Sequence, residues 1–382
     1  MLDRAIKFVT SLKLTVVCLG IGVVLVFVGT LAQVHEGLYQ AQTRYFKSFL
    51  IYWSPQGANW KIPVFPGGYL LGTVLLINLI AAHIARFKMT RKKVGILMIH
   101  FGVILLLLGQ LLTDMLSTES AVKLQIGETK NFSEDFHDDE LALIDTSDAN
   151  MDRVISVPDS RLEPGREIAL PSSPFTVRVK KFWVNSDILE SSAAGADKIE
   201  ATDGVGVGRF VVPKPSTTKM DERNLPAALV EVRAGAKSLG TWFVSSQVGK
   251  KQSFTHEGKS YNLALRFRRH YTPYSLTLVD CAHDIYKGTE IPKNFSSRVR
   301  LENPEKKEER EVLIYMNNPL RYAGTTFYQF QMSPPGQVKA STLQVVRNPS
   351  WLTPYFSCAM VGAGMAVQFL THLFSFLKRR MS

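Results

Sequence analysis

The sequence predicts a membrane protein with four transmembrane α-helices and a large all-β, sandwich-like extracytoplasmic domain between spans three and four. Three observations carry this expectation. Four long apolar runs are present, basic clusters flank them, and strand-like periodicity is confined to one electrically neutral stretch.

The apolar runs are Leu14–Leu31, Tyr69–Phe87, Val94–Leu112 and Tyr355–Leu377. Crossing the hydrocarbon takes ~20 mostly apolar residues, and each run is long enough. They are apolar on every side, unlike the one-faced helices of a soluble core. The first could be a secretion signal, but its apolar stretch is too long and no A-x-A site follows, so it reads as an anchor.

Charge sets the expected topology. The chain carries a net +12, which by itself suggests a nucleic-acid partner. Its location excludes that class. Asp114–Ser350 holds 31 Lys/Arg against 31 Asp/Glu, and residues 34–65 contribute only +2. The remaining +10 sits at Asp3–Lys13, Arg86–Lys93 and Lys378–Arg380, beside the spans, where cytoplasmic loops concentrate Lys and Arg. The expected partner of these charges is the lipid bilayer of a bacterial inner (plasma) membrane. Residues 1–33 then form a cytoplasmic N-terminus and span one, and 34–65 an extracytoplasmic loop. Residues 66–113 form spans two and three around a basic cytoplasmic loop. Residues 114–350 form the periplasmic or exterior β domain, and 351–382 span four with a cytoplasmic C-terminus.

Within the neutral stretch, alternating or β-branched runs recur at Phe175–Val184, Ala227–Val232, Thr241–Val244, Tyr261–Phe267, Tyr274–Val279, Glu311–Tyr315, Thr325–Phe330 and Thr342–Val346. Turn residues separate them at His256–Lys259, Lys287–Gly288, Asn303–Pro304 and Pro334–Gly336. Ser186–Asn224, rich in Ala, Gly, Asp and Ser, reads as a long loop or insertion. Two β layers are expected, as one continuous sandwich or as two lobes divided near that stretch. Asn318–Pro319, Gly324 and Phe327–Tyr328–Gln329 predict a turn and a strand, serving as a core hairpin or a docking element.

No G-x-S-x-G, phosphate-cradling glycine loop or H-E-x-x-H occurs. His256–Glu257 reads as an exposed turn, and His283–Asp284 as a surface strand end rather than a metal corner. Cys18 and Cys358 lie in spans and Cys281 stands alone. No C-x-x-C occurs, which argues against a thiol–disulfide oxidoreductase, and no C-x-x-C-H occurs, so the chain is not itself a c-type cytochrome. No catalytic residue is assigned.

Three histidines fall inside the apolar runs. His83 lies three residues before Arg86, His100 seven after Lys93, and His372 six before Lys378. At ~1.5 Å per residue they sit roughly 4–11 Å from the cytoplasmic boundary. Ionisable groups at such depth mark sites or proton paths, and imidazole is a common axial ligand of haem iron. The alternatives are interfacial snorkelling for His83 and His372, and a helix–helix hydrogen bond for His100. Gly102 and Gly109 beside His100 suit close approach of another helix or of a flat ligand.

These residues, together with Ser11–Leu14, Gly29–Thr30, Gln33, Tyr274–Asp280, Gly288–Thr289, Asn318–Arg321, Gly324 and Phe327–Gln329, resemble the ResB (CcsB) family. That family is a membrane component of system II cytochrome c maturation. Ser186–Asn224 is poorly matched. The resemblance implies a CcsA (ResC) multispan partner, an apocytochrome c client and room for a thiol-reducing protein. It also implies haem b, carried across the membrane and attached to C-x-x-C-H. The five tryptophans here do not cluster as in the haem-handling segment of the partner, so the resemblance implies the partner-requiring half of the complex. It makes His100 the haem ligand candidate, with His372 and His83 as weaker ones. Two other classes stay open: a scaffold that touches no haem, and a subunit of an unrelated export or sensing complex.

Overall fold

The computed structural model describes residues 2–55, 60–86, 90, 93–148, 151–217, 223–249, 252–287, 292–334 and 337–381. Arg91, Lys92, Gly288–Thr289, Pro335–Gly336 and Ser382 lie outside the described residues. The chain forms two compact units. One comprises the helices and the short segments joining them, and the other comprises 119–217 with 222–347.

The helical unit contains α1 (Leu2–Val9), α2 (Leu12–Glu36), α3 (Leu38–Ala41), α4 (Gly68–Arg86), α5 (Val94–Leu116) and α6 (Thr353–Met381). Among the described residues four helices, α2, α4, α5 and α6, are long and apolar enough to cross a membrane. They coincide with the four apolar runs and extend each by a few residues or shift it by one. Ser11 caps α2, its hydroxyl accepting from the Lys13 N–H at 3.2 Å. Between α2 and α4 the chain makes a π-helical turn, Gln42–Phe46, and a two-stranded hairpin, Leu50–Trp53 with Ile62–Pro66. Cys18, Leu25, Ile51 and Leu71 form the buried core of this corner.

A buried amide ties α1, α2 and α4 together. Asn78 is 3% exposed. Its Nδ2 donates to the carbonyls of Val9 (2.6 Å) and Ser11 (3.2 Å), and its Oδ1 accepts from the Thr15 hydroxyl at 2.6 Å. A polar side chain inside a span is tolerated when it is satisfied in this way.

The β unit is built from antiparallel sheets of ten, four and three strands. The predicted strands at Phe175, Ala227, Thr241, Glu311, Thr325 and Thr342 all appear, most of them longer than predicted. Tyr261–Phe267 and Tyr274–Val279 are two parts of a single strand, Lys259–Ile285, broken by register shifts after Phe267 and Tyr271. This strand runs through two separate cores. Leu263 and Leu265 enter one, with Leu141, Phe175, Val230 and Val244. Leu276 and Leu278 enter the other, with Leu124, Val299, Leu301, Ile314 and Leu343. The fold is therefore closer to two lobes sharing strands than to one continuous sandwich.

Ser186–Asn224 is not simply a loop. Ser186–Leu189, Asp197–Lys198 and Phe210–Pro213 form a small sheet, because Val211 and Ile199 can bury against Ala227, Leu229 and Phe243. The turn at Glu257–Gly258 has both residues at positive φ (50° and 77°), as a two-residue hairpin requires. Ala323–Gly324 repeats that geometry (49° and 76°) between Leu320–Tyr322 and Thr325–Met332. Phe327 packs into the second core, Tyr328 is exposed, and Gln329 bonds the buried Ser297 (2.6 Å) and Ser341 (3.0 Å). Leu320 and Phe327 fit the core-hairpin alternative, and Tyr328 stands on the outer face.

Candidate functional site

Helices α4 and α5 bring two of the three candidate histidines together. His83 lies in the last turn of α4 and His100 in the second turn of α5. Their ring centroids are 4.6 Å apart with planes at 77°, an edge-to-face contact. His83 Nδ1 is 2.9 Å from the Leu79 carbonyl one turn earlier, which makes Nδ1 the protonated nitrogen. His100 Nδ1 is buried with no hydrogen-bond partner among the described residues. With the ring proton on Nε2, that nitrogen would carry an unused lone pair.

His372 does not join the pair. It is exposed on α6, and its Nε2 is 2.7 Å from the Gln368 amide on the same helix.

The glycines of α5 have a different use from the flat-ligand alternative. Gly95, Gly102 and Gly109 are buried at seven-residue spacing, almost two turns apart, and so share one face. That face is filled by α6. A Cβ at Gly95 would lie 2.7 Å from the Gly364 carbonyl and the Gln368 N–H. One at Gly102 would lie 2.7 Å from Val361 Cγ2, and one at Gly109 2.4 Å from Thr353 Cγ2. The glycines serve helix–helix approach and leave no room for a macrocycle beside Gly102. At 100° per residue His100 projects about 140–180° away from this face, towards α4.

Rings in edge-to-face contact leave no slot between them for a planar group, so the pair could not sandwich one. No group of three or more His, Cys, Asp or Glu placed to hold a metal ion occurs among the described residues.

The β unit holds a second concentration of titratable groups. Asp139 is 5% exposed and its Oδ1 has no partner among the described residues. Burial first, then the Asp159 carboxylate, pushes its pKa up to about 7, while Arg223 opposes the shift. Asp159 is raised too, mainly by burial. His283 lies two residues from the end of its strand, as expected, but is half-buried rather than on the surface. Its ring lies 4.5 Å from that of Phe295, its cross-strand partner, and both ring nitrogens are buried. Cys281 is buried, and burial followed by Asp280 raises its thiol pKa.

Sequence reasoning missed Asn78 and Asp139. The signal for Asn78 was a single amide in an otherwise apolar run. Asp139 sits in the acidic stretch Glu134–Glu140, whose strand character the charges conceal.

Comparison with known proteins bears on the β unit. Residues 234–343 match the model of the ResB-like family. The resemblance drawn from Tyr274–Asp280 and Asn318–Gln329 is thereby borne out. This ResB-like segment covers all of the long strand and most of the second core, and excludes the helices. Separately, 93 residues, 24% of the chain, are 32% identical to Protein NrfI of Wolinella succinogenes. The match spans a tenth of that protein's length.

Proposed function

We propose that the chain is a membrane component of cytochrome c biogenesis of the system II kind, in which His100 presents an imidazole to haem b within the bilayer. The observation that carries this reading is the pairing of His83 and His100 on adjacent spans, with a buried, unpartnered Nδ1 on His100. The ResB-like segment supplies the biological setting. In this reading haem is cargo. His83, anchored to the Leu79 carbonyl, fixes the orientation of the His100 ring, and a CcsA (ResC)-type multispan partner supplies the second axial ligand. The β unit faces the periplasm or exterior, where apocytochrome c receives the haem.

A second reading has one observation in its favour. An edge-to-face ring contact is itself a packing interaction, so the histidines could serve only to join α4 to α5. Absorbance spectra of the purified membrane complex, with and without His100→Ala, separate the two. Under the ligand reading the variant stays in the membrane, loses most of its haem absorbance, and regains part of it in millimolar imidazole. Under the packing reading abundance falls, haem per complex is unchanged and imidazole does nothing. Unaltered haem in a stable His100→Ala complex rules out the ligand role.

A further inference from the structure

The long strand Lys259–Ile285 carries an open stretch of edge. One of its sides pairs with Thr129–Asp145. On the other side its partners come in two pieces. Gln252–His256 stops at the Gln252↔Leu263 pair, and Pro292–Asn303 starts at Ser275↔Glu302. From Ala264 to Tyr274 no strand or backbone hydrogen bond occupies that side among the described residues. Pro273 lacks an N–H and closes the far end, leaving a slot from Ala264 to Thr272.

The backbone phase can be read from the hairpin. A two-residue turn makes His256 and Lys259 a hydrogen-bonded pair. Alternation then directs the N–H and C=O of Tyr261 and Leu263 towards Gln252–His256, and those of Leu265 and Phe267 the same way, into the slot. Ser260 has the opposite phase, its carbonyl accepting from Thr146 N–H at 3.0 Å on the other side.

A cavity of about 930 Å³ lies over the sheet face beside the slot, lined by Ala264 and Arg266 of the long strand, by Ile144 and Val154 on its paired side, and by Ser245 and Ser246.

Exposed edges are usually guarded by charged side chains. Here the local charges are drawn back across the paired side. Arg266 bonds Glu140 (3.0 Å), Arg268 bonds Asp138 (2.7 Å) and Arg269 bonds Glu134 (3.2 Å), all on the Thr129–Asp145 strand. The edge itself is left open to main-chain pairing.

We propose that this slot receives a short extended segment of an unfolded polypeptide by strand addition. Its geometry selects that occupant. Nine residues span roughly 30 Å, and this chain's own strands stand in line at one end and just past Pro273 at the other. A strand already built into a folded sheet, including one from a second copy, brings neighbours that collide with them. A bare segment does not. Main-chain pairing supplies affinity with little demand on sequence. The proposal is independent of the role of His100.

Hydrogen exchange on the full chain in nanodiscs tests it, with reduced and carboxymethylated α-lactalbumin as a permanently unfolded probe. Amides in 264–272 should exchange at least tenfold more slowly with this probe, and unchanged with the native, disulfide-intact protein. Phe267→Pro removes one slot-facing N–H and none of the bonds to Thr129–Asp145. It should weaken probe binding about tenfold while leaving the thermal midpoint close to the parent. No protection in 264–272, equal protection by the native protein, or undiminished binding by a folded Phe267→Pro chain would each overturn the proposal. If that variant does not fold, the exchange result on the unaltered chain decides alone.

Discussion

Replacing Asn78 by Leu tests how the helical unit is held together. Leucine has similar volume and is far more soluble in hydrocarbon, so burial alone predicts a more stable protein. Hydrogen bonding predicts the reverse. Asn78 makes three bonds, at 2.6, 3.2 and 2.6 Å, to Val9, Ser11 and Thr15. Two of the acceptors are carbonyls at the break between α1 and α2. Ser11 O otherwise meets only a long 3.5 Å contact from Thr15 N–H. Interhelical hydrogen bonds in bilayers are worth ~0.6 kcal/mol on average and up to ~1.7. Three of them give about 2 kcal/mol, and about 4 if the carbonyls are left dry. A loss of ~2 kcal/mol is roughly 30-fold in the folded-to-unfolded ratio. Equilibrium unfolding of the full chain by SDS in mixed micelles, followed by tryptophan fluorescence, would show it as a lower midpoint. Thr15→Val should lose ~0.6 kcal/mol, and combining it with Asn78→Leu should add nothing further, because the two share one bond. A midpoint for Asn78→Leu at or above that of the parent would refute the reasoning.

Gly102→Leu drives a side chain into Val361 Cγ2 and the Ser357 carbonyl, and should cost ~1–3 kcal/mol in the same assay. Gly22→Ala, with nothing within 4 Å of its Cβ, should be neutral or slightly stabilising. Asp139 is raised to about 7, so the folded β unit holds a proton that the unfolded chain releases near ~3.9. Stability should therefore fall as pH rises from ~4 through 7, by roughly 2–4 kcal/mol. Thermal unfolding of Asp139→Asn should lack that slope and show a higher midpoint than the parent at pH 8. Topology needs a reporter other than the buried Cys281. A cysteine replacing the exposed Glu190 should react with an impermeant maleimide in spheroplasts, and a tag after Ser382 should be reached only once they are permeabilised. Labelling of the tag in intact spheroplasts would reverse the assigned orientation.

The spans were legible because hydrocarbon imposes one rule on every face of a helix, and Leu14–Leu31 and its three counterparts obey it along their length. The β unit was legible where one face is apolar, as in Phe175–Trp183. It was hidden in Thr129–Asp145, where Asn131–Glu140 carries Glu134, Asp135, Asp138, Asp139 and Glu140. The partners of all but Asp139, namely Arg266, Arg268, Arg269 and His270, lie about 130 residues away, so the cross-strand ion pairs that take the place of apolar alternation cannot be seen locally. The histidines were legible as chemistry and not as geometry. Equal depth grouped His100 with His372, whereas packing groups it with His83.

The reason lies on the opposite side of α5. A helix that presents Gly95, Gly102 and Gly109 to its neighbour brings backbone against backbone, and Gly364 of α6 answers with its own missing Cβ, 2.8 Å from the Gly95 carbonyl. Such contact tolerates little rotation, because a turn of one residue (100°) would carry Ile96, Val103 and Gln110, or Val94, Phe101 and Leu108, into the groove. With α5 locked about its axis, His100 is held away from α6 and against α4. The direction in which His100 leaves the helix is thus set by three residues with no side chain, on the face where it does not lie. It follows that Gly102→Leu should do more than loosen the α5–α6 contact. By rotating or displacing α5 it should part the two imidazoles, so under the proposal that His100 is a haem ligand a changed haem spectrum from that variant would report the alignment of His100 even though every histidine is still present.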